Sequence, residues 1–342
     1  MQVIEKIPIR FKKVSLAEKN LIFEWLDLPH IREFWDNSQA HRDDIINFME
    51  GRQSPSPYFD GIFDYWVGYI DQIPYCFLMT SEYVDTPTLP DTHRQRLSKS
   101  GKTFSIDFCI GNCVYLGKGF AALTLEAFMQ FMQQNIDPEI NRFFIDPNIN
   151  NPRAIHVYEK AGFRQIATFK VEDGFFKNHT SVLMVKNLLP LTIHEVNLET
   201  AKKEDFKAAY TGCIIKTHDN KLCLQLRNKD SFTFPGCIST FGGKIESQET
   251  PLQALIRELH EEIGVEVKES DVISLGAITE AYTNHEEIVY LYFWHDTDDS
   301  ITGCYEGEIR YFNDVDSALN HPKLMDDVRW ALIQCVEQCL LT

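Results

Sequence analysis

Three carboxylates, Glu258, Glu261 and Glu262, stand at i, i+3 and i+4, the spacing that puts side chains on one face of a helix. Clustered acids repel one another unless a cation neutralises them. Hard divalent ions such as Mg2+ prefer oxygen donors of this kind and keep positions free for phosphate oxygens. A solvated acidic face is the plain alternative. A second chemical signal is Leu116-Gly117-Lys118-Gly119-Phe120-Ala121, placed between a strand-like Thr103–Ile110 and an apolar helix running through Met132. Glycines at such a junction let backbone N–H groups approach a pyrophosphate at the helix N-terminus; a simple tight turn would use them too.

Each signal needs an element to hold it. For the acids, Thr250 is a good N-cap, Pro251 suits the first helical position, Gln253 completes a capping box and Gly264 supplies the stop. Leu252, Leu255, Ile256, Leu259 and Ile263 then form the apolar face. For the glycine loop, strands are expected at Ile9–Val14, Tyr65–Ile70, Pro74–Thr80 and Thr103–Ile110, with a helix over Glu18–Leu26 and an aromatic turn at His30–Asp36. A second short helix begins at the cap Asn151 with Pro152 and ends at Gly162. The polar stretch from Pro87 to Gly101 reads as a long loop.

The 342 residues are enough for two domains, and 44% hydrophobic content supports full-sized cores. We place the division in the polar, charged stretch after Thr180–Val185. Residues 1–187 form the first domain, 188–203 the linker and 204–342 the second, whose opening hairpin is Tyr210–Ile215 and Leu222–Leu226. Thirty-three Lys and Arg against fifty Asp and Glu give a net charge of −17. The balance argues against nucleic-acid and anionic-membrane partners, because both need a basic surface. The excess is uneven: residues 1–190 carry −3 and residues 191–342 carry −14. No apolar run approaches the ~18 residues of a membrane span, no secretory leader is read at the start, and nine scattered cysteines show no C-x-x-C pair. A reducing cytoplasm is the expected setting.

The run from Gly243 through Glu249 and Arg257-Glu258-Leu259-His-Glu261-Glu262-Ile-Gly264-Val265 resembles the Nudix box, G-x5-E-x7-R-E-U-x-E-E-x-G-U with U aliphatic, at all nine specified positions. The resemblance implies an α/β/α sandwich over residues 204–342 that hydrolyses a nucleoside diphosphate linked to another moiety. Mg2+ or Mn2+ would be held by Glu258, Glu261 and Glu262 with the Gly243 carbonyl, and Arg257 would pair with Glu249. Glu306 is the candidate for a further ligand or base, with Glu308 its competitor; Glu261 and Glu306 are the catalytic candidates. Asp326 stands where nucleotide-sanitising members use an amide to read a base, a departure from their pattern. A non-catalytic, nucleotide-sensing role for this domain stays open.

In the first domain, Asn151-x-x-Ala154-x-x-x-Tyr158-x-x-x-Gly162-Phe163, together with the glycine loop, resembles the GNAT acetyltransferases. That implies a mixed, mostly antiparallel α/β (α+β) fold and acetyl-CoA as cosubstrate. Residues 116–121, Asn151, Ala154 and Tyr158 would contact acetyl-CoA, and Tyr158 would protonate the departing thiolate. Within the family the match extends to aminoglycoside 6'-N-acetyltransferases through Leu116-Gly-Lys-Gly, Asp137-Pro-Glu, Asp146-Pro, Asn150-Asn-Pro-Arg-Ala-Ile and Tyr158-Glu-Lys-Ala-Gly-Phe. It places Asp107 as general base and Asp146 and Trp35 against the amino sugar. Siderophore-type N-acyltransferases share the Ile106-Asp107-Phe108 and glycine-loop pattern, and Cys76-Phe-Leu-Met79 is apolar where the resistance enzymes offer a polar contact. Another small-molecule amine is therefore the alternative acceptor. The pattern leaves the oligomeric state open.

Overall fold

The computed structural model describes residues 8–341, so the leader reading over residues 1–7 lies outside the described residues. The chain divides into two compact units, Met1–Leu188 and Leu189–Thr342.

Unit 1 is a seven-stranded sheet made of β1 (Ile9–Lys13), β2 (Asp64–Ile70), β3 (Ile73–Tyr83), β4 (Lys102–Ile110), β5 (Ile140–Ile145), β6 (Arg164–Lys170) and β7 (Thr180–Asn187), in the order β1-β2-β3-β4-β5-β7-β6. Every pairing is antiparallel except β4 with β5. Strand alternation sorts the core onto two faces. Trp66, Cys76, Leu78, Ile106 and Ile110 pack against α5 (Phe120–Phe131) and α6 (Pro152–Lys160). Tyr65, Val67, Phe77, Met79 and Cys109 pack against α1 (Lys19–Leu26), α2 (Pro29–Arg32) and α3 (Gln39–Met49). The segment expected as a loop after Pro87 contains one turn of helix, α4 (Asp91–Arg94).

Unit 2 is an α/β/α sandwich. Its sheet runs β11 (Ile238–Ser239), β10 (Leu222–Leu226), β9 (Ala208–Lys216), β13 (Glu287–His295), β12 (Val272–Glu280), β8 (Ile193–Glu195), with β14 (Glu308–Phe312) paired to β10. Cys213, Ile215, Cys223, Tyr290, Tyr292 and Trp294 face α7 (Pro251–Ile263). Ile214, Leu222, Leu224, Leu291 and Phe293 face α9 (Asp326–Glu337), with α8 (Val315–Leu319) alongside. The stretch read as a linker, 188–203, carries β8: Ile193 enters this core, and Trp330 donates its indole N–H to Glu195 at 3.0 Å. An apolar residue with a sheet edge to join is held by the domain rather than left in a connector.

Helix α7 has the expected caps. Thr250 Oγ1 accepts from the Gln253 N–H at 3.2 Å, Gln253 returns a bond to the Thr250 N–H at 3.0 Å, and Gly264 stops the helix at φ +72°. Ala254, Leu255, Leu259 and Ile263 are fully buried, whereas Ile256 is half-buried and outside the cluster. Ala254 takes its place because its small side chain lets the helix approach the sheet. This packing fixes the acids, so Leu259→Ala should cost about 2–5 kcal/mol by leaving a cavity under α7. Chemical denaturation of the full chain will show the loss in the transition of unit 2.

Candidate functional site

In unit 1 the parallel pairing of β4 with β5 ends at Ser105↔Phe144. Beyond that point β4 continues to Ile110 with β3 as its register partner, and the two strands part. A cavity of about 1620 Å³ opens there, lined among others by Trp35, Asp107, Asp146 and Tyr158 at one part and by Leu116, Gly117, Gly119, Phe120, Ala121, Asn151 and Ala154 at another. Lys118 is exposed and outside this lining. Gly117 and Gly119 have φ of +70° and +83°, and a Cβ on either would meet nothing within 4 Å. Glycine is needed here for backbone conformation, and the space beside it is free. Gly119 is the N-cap of α5, so the helix's first N–H groups open toward the loop. The Asn151 side chain accepts from the Ala154 N–H at 3.1 Å and is thereby a cap of α6.

Asp107 lies opposite Met79 in the β3–β4 register and shares its face with Cys109. Asp107 and Asp146 are half-exposed toward the cavity yet crowded by protein. Desolvation raises both carboxyls above the ordinary range, and the charge of Asp107 raises Asp146 further. Tyr158 is buried, and desolvation followed by the Asp107 charge pushes its hydroxyl well up. It stays protonated at neutral pH, and its hydroxyl has no hydrogen-bond partner among the described residues. Trp35 is buried with its indole N–H unpartnered among the described residues. Met79, from the apolar strand segment, reaches the cavity, whereas Cys76, Phe77 and Leu78 are wholly core.

The sequence reading missed one wall. Tyr58 donates to Asp36 Oδ2 at 2.9 Å and stacks on His41, whose Nδ1 bonds the Asp36 carbonyl at 2.6 Å. Phe59 and Phe175 extend the same lining. Tyr58 and Phe59 sit in a loop without periodicity, and only the neighbouring Trp35-Asp36 turn hinted at them.

In unit 2, Arg257 is the hub. It donates to both oxygens of Glu249 at 2.7 and 3.1 Å, to Glu258 at 2.8 Å, to Glu261 at 3.2 Å and to the Lys244 carbonyl at 3.1 Å. Glu262 is buried and accepts from Gln225 Nε2 at 2.8 Å and from the Gly242 N–H at 2.7 Å. A Cβ on Gly243 would fall 2.5 Å from a Glu258 oxygen, so only glycine lets that carboxylate lie against the loop. The Gly243 carbonyl accepts from the Thr211 N–H at 2.9 Å, which leaves one lone pair open. Glu306 is exposed, but its charge reaches both Glu258 and Glu262. Asp326 instead accepts from Thr192 Oγ1 at 2.6 Å, and Tyr282 is exposed against Phe234. Among the described residues no three His, Cys, Asp or Glu side chains already converge as a metal-binding group.

Burial pushes the Glu262 carboxyl up to about 8, helped by Glu306 and opposed by the Gly242 N–H. The folded state therefore binds this proton more tightly than the unfolded chain. Stability from this group is greatest at acid pH and falls as pH rises from about 4.5 toward 8. Glu262→Gln, which keeps the size and removes the charge, should flatten that slope in metal-free buffer. Melting temperatures from pH 5 to 8.5 will show it.

A family model for the GNAT acetyltransferase domain matches residues 16–171, and one for the NUDIX domain matches residues 207–332. The aminoglycoside N(6')-acetyltransferase type 1 of Klebsiella pneumoniae is 27% identical over 161 residues, 45% of this chain and 73% of that protein. An RNA pyrophosphohydrolase of Francisella tularensis is 35% identical over 72 residues; these are 21% of this chain and 43% of that relative's length. The crystal structure of an aminoglycoside N(6')acetyltransferase from Legionella pneumophila aligns at 23% identity and a TM-score of 0.41, covering 54% of this chain and 95% of that one. No helix among the described residues is long and apolar enough to cross a membrane. The chain is an enzyme of two families, an N-terminal GNAT acetyltransferase domain similar to the aminoglycoside acetyltransferases fused to a C-terminal Nudix hydrolase domain.

Proposed function

We propose that unit 1 acetylates a cationic small-molecule amine, an aminoglycoside 6'-amine in the first instance, from acetyl-CoA. The observation that carries this reading is one cavity joining a glycine loop at a helix N-terminus to two acids and an unpartnered, protonated tyrosine. Asp107 and Asp146 attract the ammonium, and Asp107 takes its proton. The freed amine attacks the thioester carbonyl, so a C–N bond forms as the C–S bond breaks. Tyr158 gives its proton to the leaving sulfur, and the second proton shed by the new amide nitrogen balances it. Residues 116–121 with Asn151 and Ala154 are the acetyl-CoA contacts in this reading, and Trp35 lies against the acceptor. A second reading, N-acylation of a siderophore-type or other metabolite amine, draws on the apolar Met79 beside Asp107.

Unit 2, in our reading, hydrolyses a nucleoside diphosphate linked to another group. Its −14 charge favours a small nucleotide over a nucleic-acid chain. Glu258, Glu261 and Glu262, with Glu306 and the Gly243 carbonyl, fit a hard cation: all are oxygen donors, and Glu258 and Glu262 are raised by burial and by the nearby Glu306 charge. Bound Mg2+ or Mn2+ would lower the pKa of a water and neutralise charge on the leaving phosphate. Arg257 holds Glu249, Glu258 and Glu261 in place, and Glu261 and Glu306 are the base candidates. The second reading is a nucleotide-sensing regulatory role, in which the domain binds without turnover. Both domains suit a reducing cytoplasm, where the nine free thiols stay reduced.

Two assays test these readings. Asp107→Asn should lower kcat/KM for amine acetylation about 10²–10⁴-fold and remove an ionisation that sits above the ordinary carboxylate range. An unchanged rate would exclude Asp107 as base. With a panel of nucleoside diphosphate derivatives, Mg2+-dependent phosphate release should appear with the intact chain and vanish in Glu261→Gln; binding without release would favour the sensor.

A further inference from the structure

The cavity of unit 1 exceeds the ~300–1,000 Å³ of an ordinary small-molecule pocket, which leaves room for an acceptor body beside the reacting groups. Its lining includes four large apolar side chains that are more than half exposed: Phe59 at 51%, Ile62 at 55%, Val84 at 59% and Phe175 at 56%. Exposed apolar residues are common singly; these four share the lining of one cavity and are open to whatever occupies it.

The patch adjoins the acids. Asp107 and Asp146 line the same cavity as Tyr58, Phe59 and Phe175. Tyr58 meets Phe59 edge-on at 4.9 Å, and Phe59 meets Phe63 edge-on at 5.6 Å. Across the mouth, a Cβ on Gly174 would lie 3.5 Å from the Phe59 ring, which puts the loop carrying Phe175 against it. Phe59 has φ +45° and Asp60 φ +53°, a conformation that bulky side chains rarely adopt. Phe59 is nonetheless about half exposed, although burial would be favourable for an isolated aromatic.

We propose that Phe59, Ile62, Val84 and Phe175 form an apolar subsite for the non-reacting body of the amine acceptor, which presents a C–H-rich face next to its ammonium. This rests on the acetyl-transfer reading of unit 1 and adds the shape of the acceptor. The shared chemistry is an apolar face adjoining a cation, supplied either by an aryl or branched alkyl group or by the C–H face of an amino-sugar ring.

The test compares an arylalkylamine, an aminoglycoside and a linear polyamine that lacks such a face, using the full chain and the double variant Phe59→Ser, Phe175→Ser. Both side chains are more than half exposed, so the fold should survive their replacement, and calorimetric binding of coenzyme A checks this. The ratio of kcat/KM for the arylalkylamine to that for the polyamine should fall about tenfold in the variant. The aminoglycoside ratio falls with it if the ring face is a source, and stays put if only aryl or alkyl bodies use the subsite. An unchanged arylalkylamine ratio and an unchanged aminoglycoside ratio together would overturn the proposal. The same ratios of Kd, measured by calorimetry with coenzyme A present, separate the two levels. Selective loss of binding without any turnover by the intact chain would support the subsite and reject acetyl transfer. Equal loss of affinity for all three amines would reject the subsite itself.

Discussion

A carboxylate taken out of water is costly unless a cation or several hydrogen bonds attend it, and in both domains the chain holds acids in that condition. Asp107 and Asp146 stand in one cavity, both raised by burial, and the charge of Asp107 raises Asp146 further. Glu262 has two donors, Gln225 and the Gly242 N–H, yet burial holds it raised, and the charges of Glu306 and Glu258 add to that. Neither arrangement is accounted for by stability alone. Each would be relieved by a cation, an ammonium in one domain and a metal in the other.

The remaining structure supplies the rigidity that keeps these charges from relaxing into solvent. Asp107 is fixed by the long β3–β4 ladder from Cys76↔Ile110 to Tyr83↔Thr103, which continues after β5 has left. The same divergence that exposes the strand edge opens the cavity. In unit 2 the corresponding role falls to α7, pinned by its capping box, its Gly264 stop and the Leu255, Leu259 and Ile263 stripe. Arg257 then divides its donors among Glu249, Glu258 and Glu261. An arginine can do this because its fork offers several donors at once, where a lysine would offer a single charged point.

What could be read from the residues follows how local the constraint is. Helix α7 was legible to the residue at both ends because caps, proline and glycine act within a few positions. Tyr158 and the glycine loop were legible because each sits on one element at fixed spacing. Strand β8 was not, since three residues, Ile193–Glu195, carry no periodicity and their pairing with Ile278–Glu280 spans more than eighty positions. The spacing put Glu262 on one face with Glu258 and Glu261, but its burial beneath Gly242 and Gln225 was not legible. A helical wheel locates the angle of a side chain around its own axis; what covers that angle is decided by the loop that folds over it.

The two sites therefore differ in how much of their specificity is written locally. The hydrolase acids sit within five residues of one helix, and Arg257 and Glu249 brace them from the same motif. The acetyl-transfer cavity draws its acids from β4 and the end of β5, its tyrosine from α6 and its aromatic wall from the turn after α2 and the loop before β2. The acids and the aromatic wall stand on segments separate from the glycine loop and from Tyr158. The local motifs around the glycine loop and Tyr158 therefore say little about the residues on the rest of the cavity wall. The exposed Phe59 and Phe175 lie on that wall, outside those motifs.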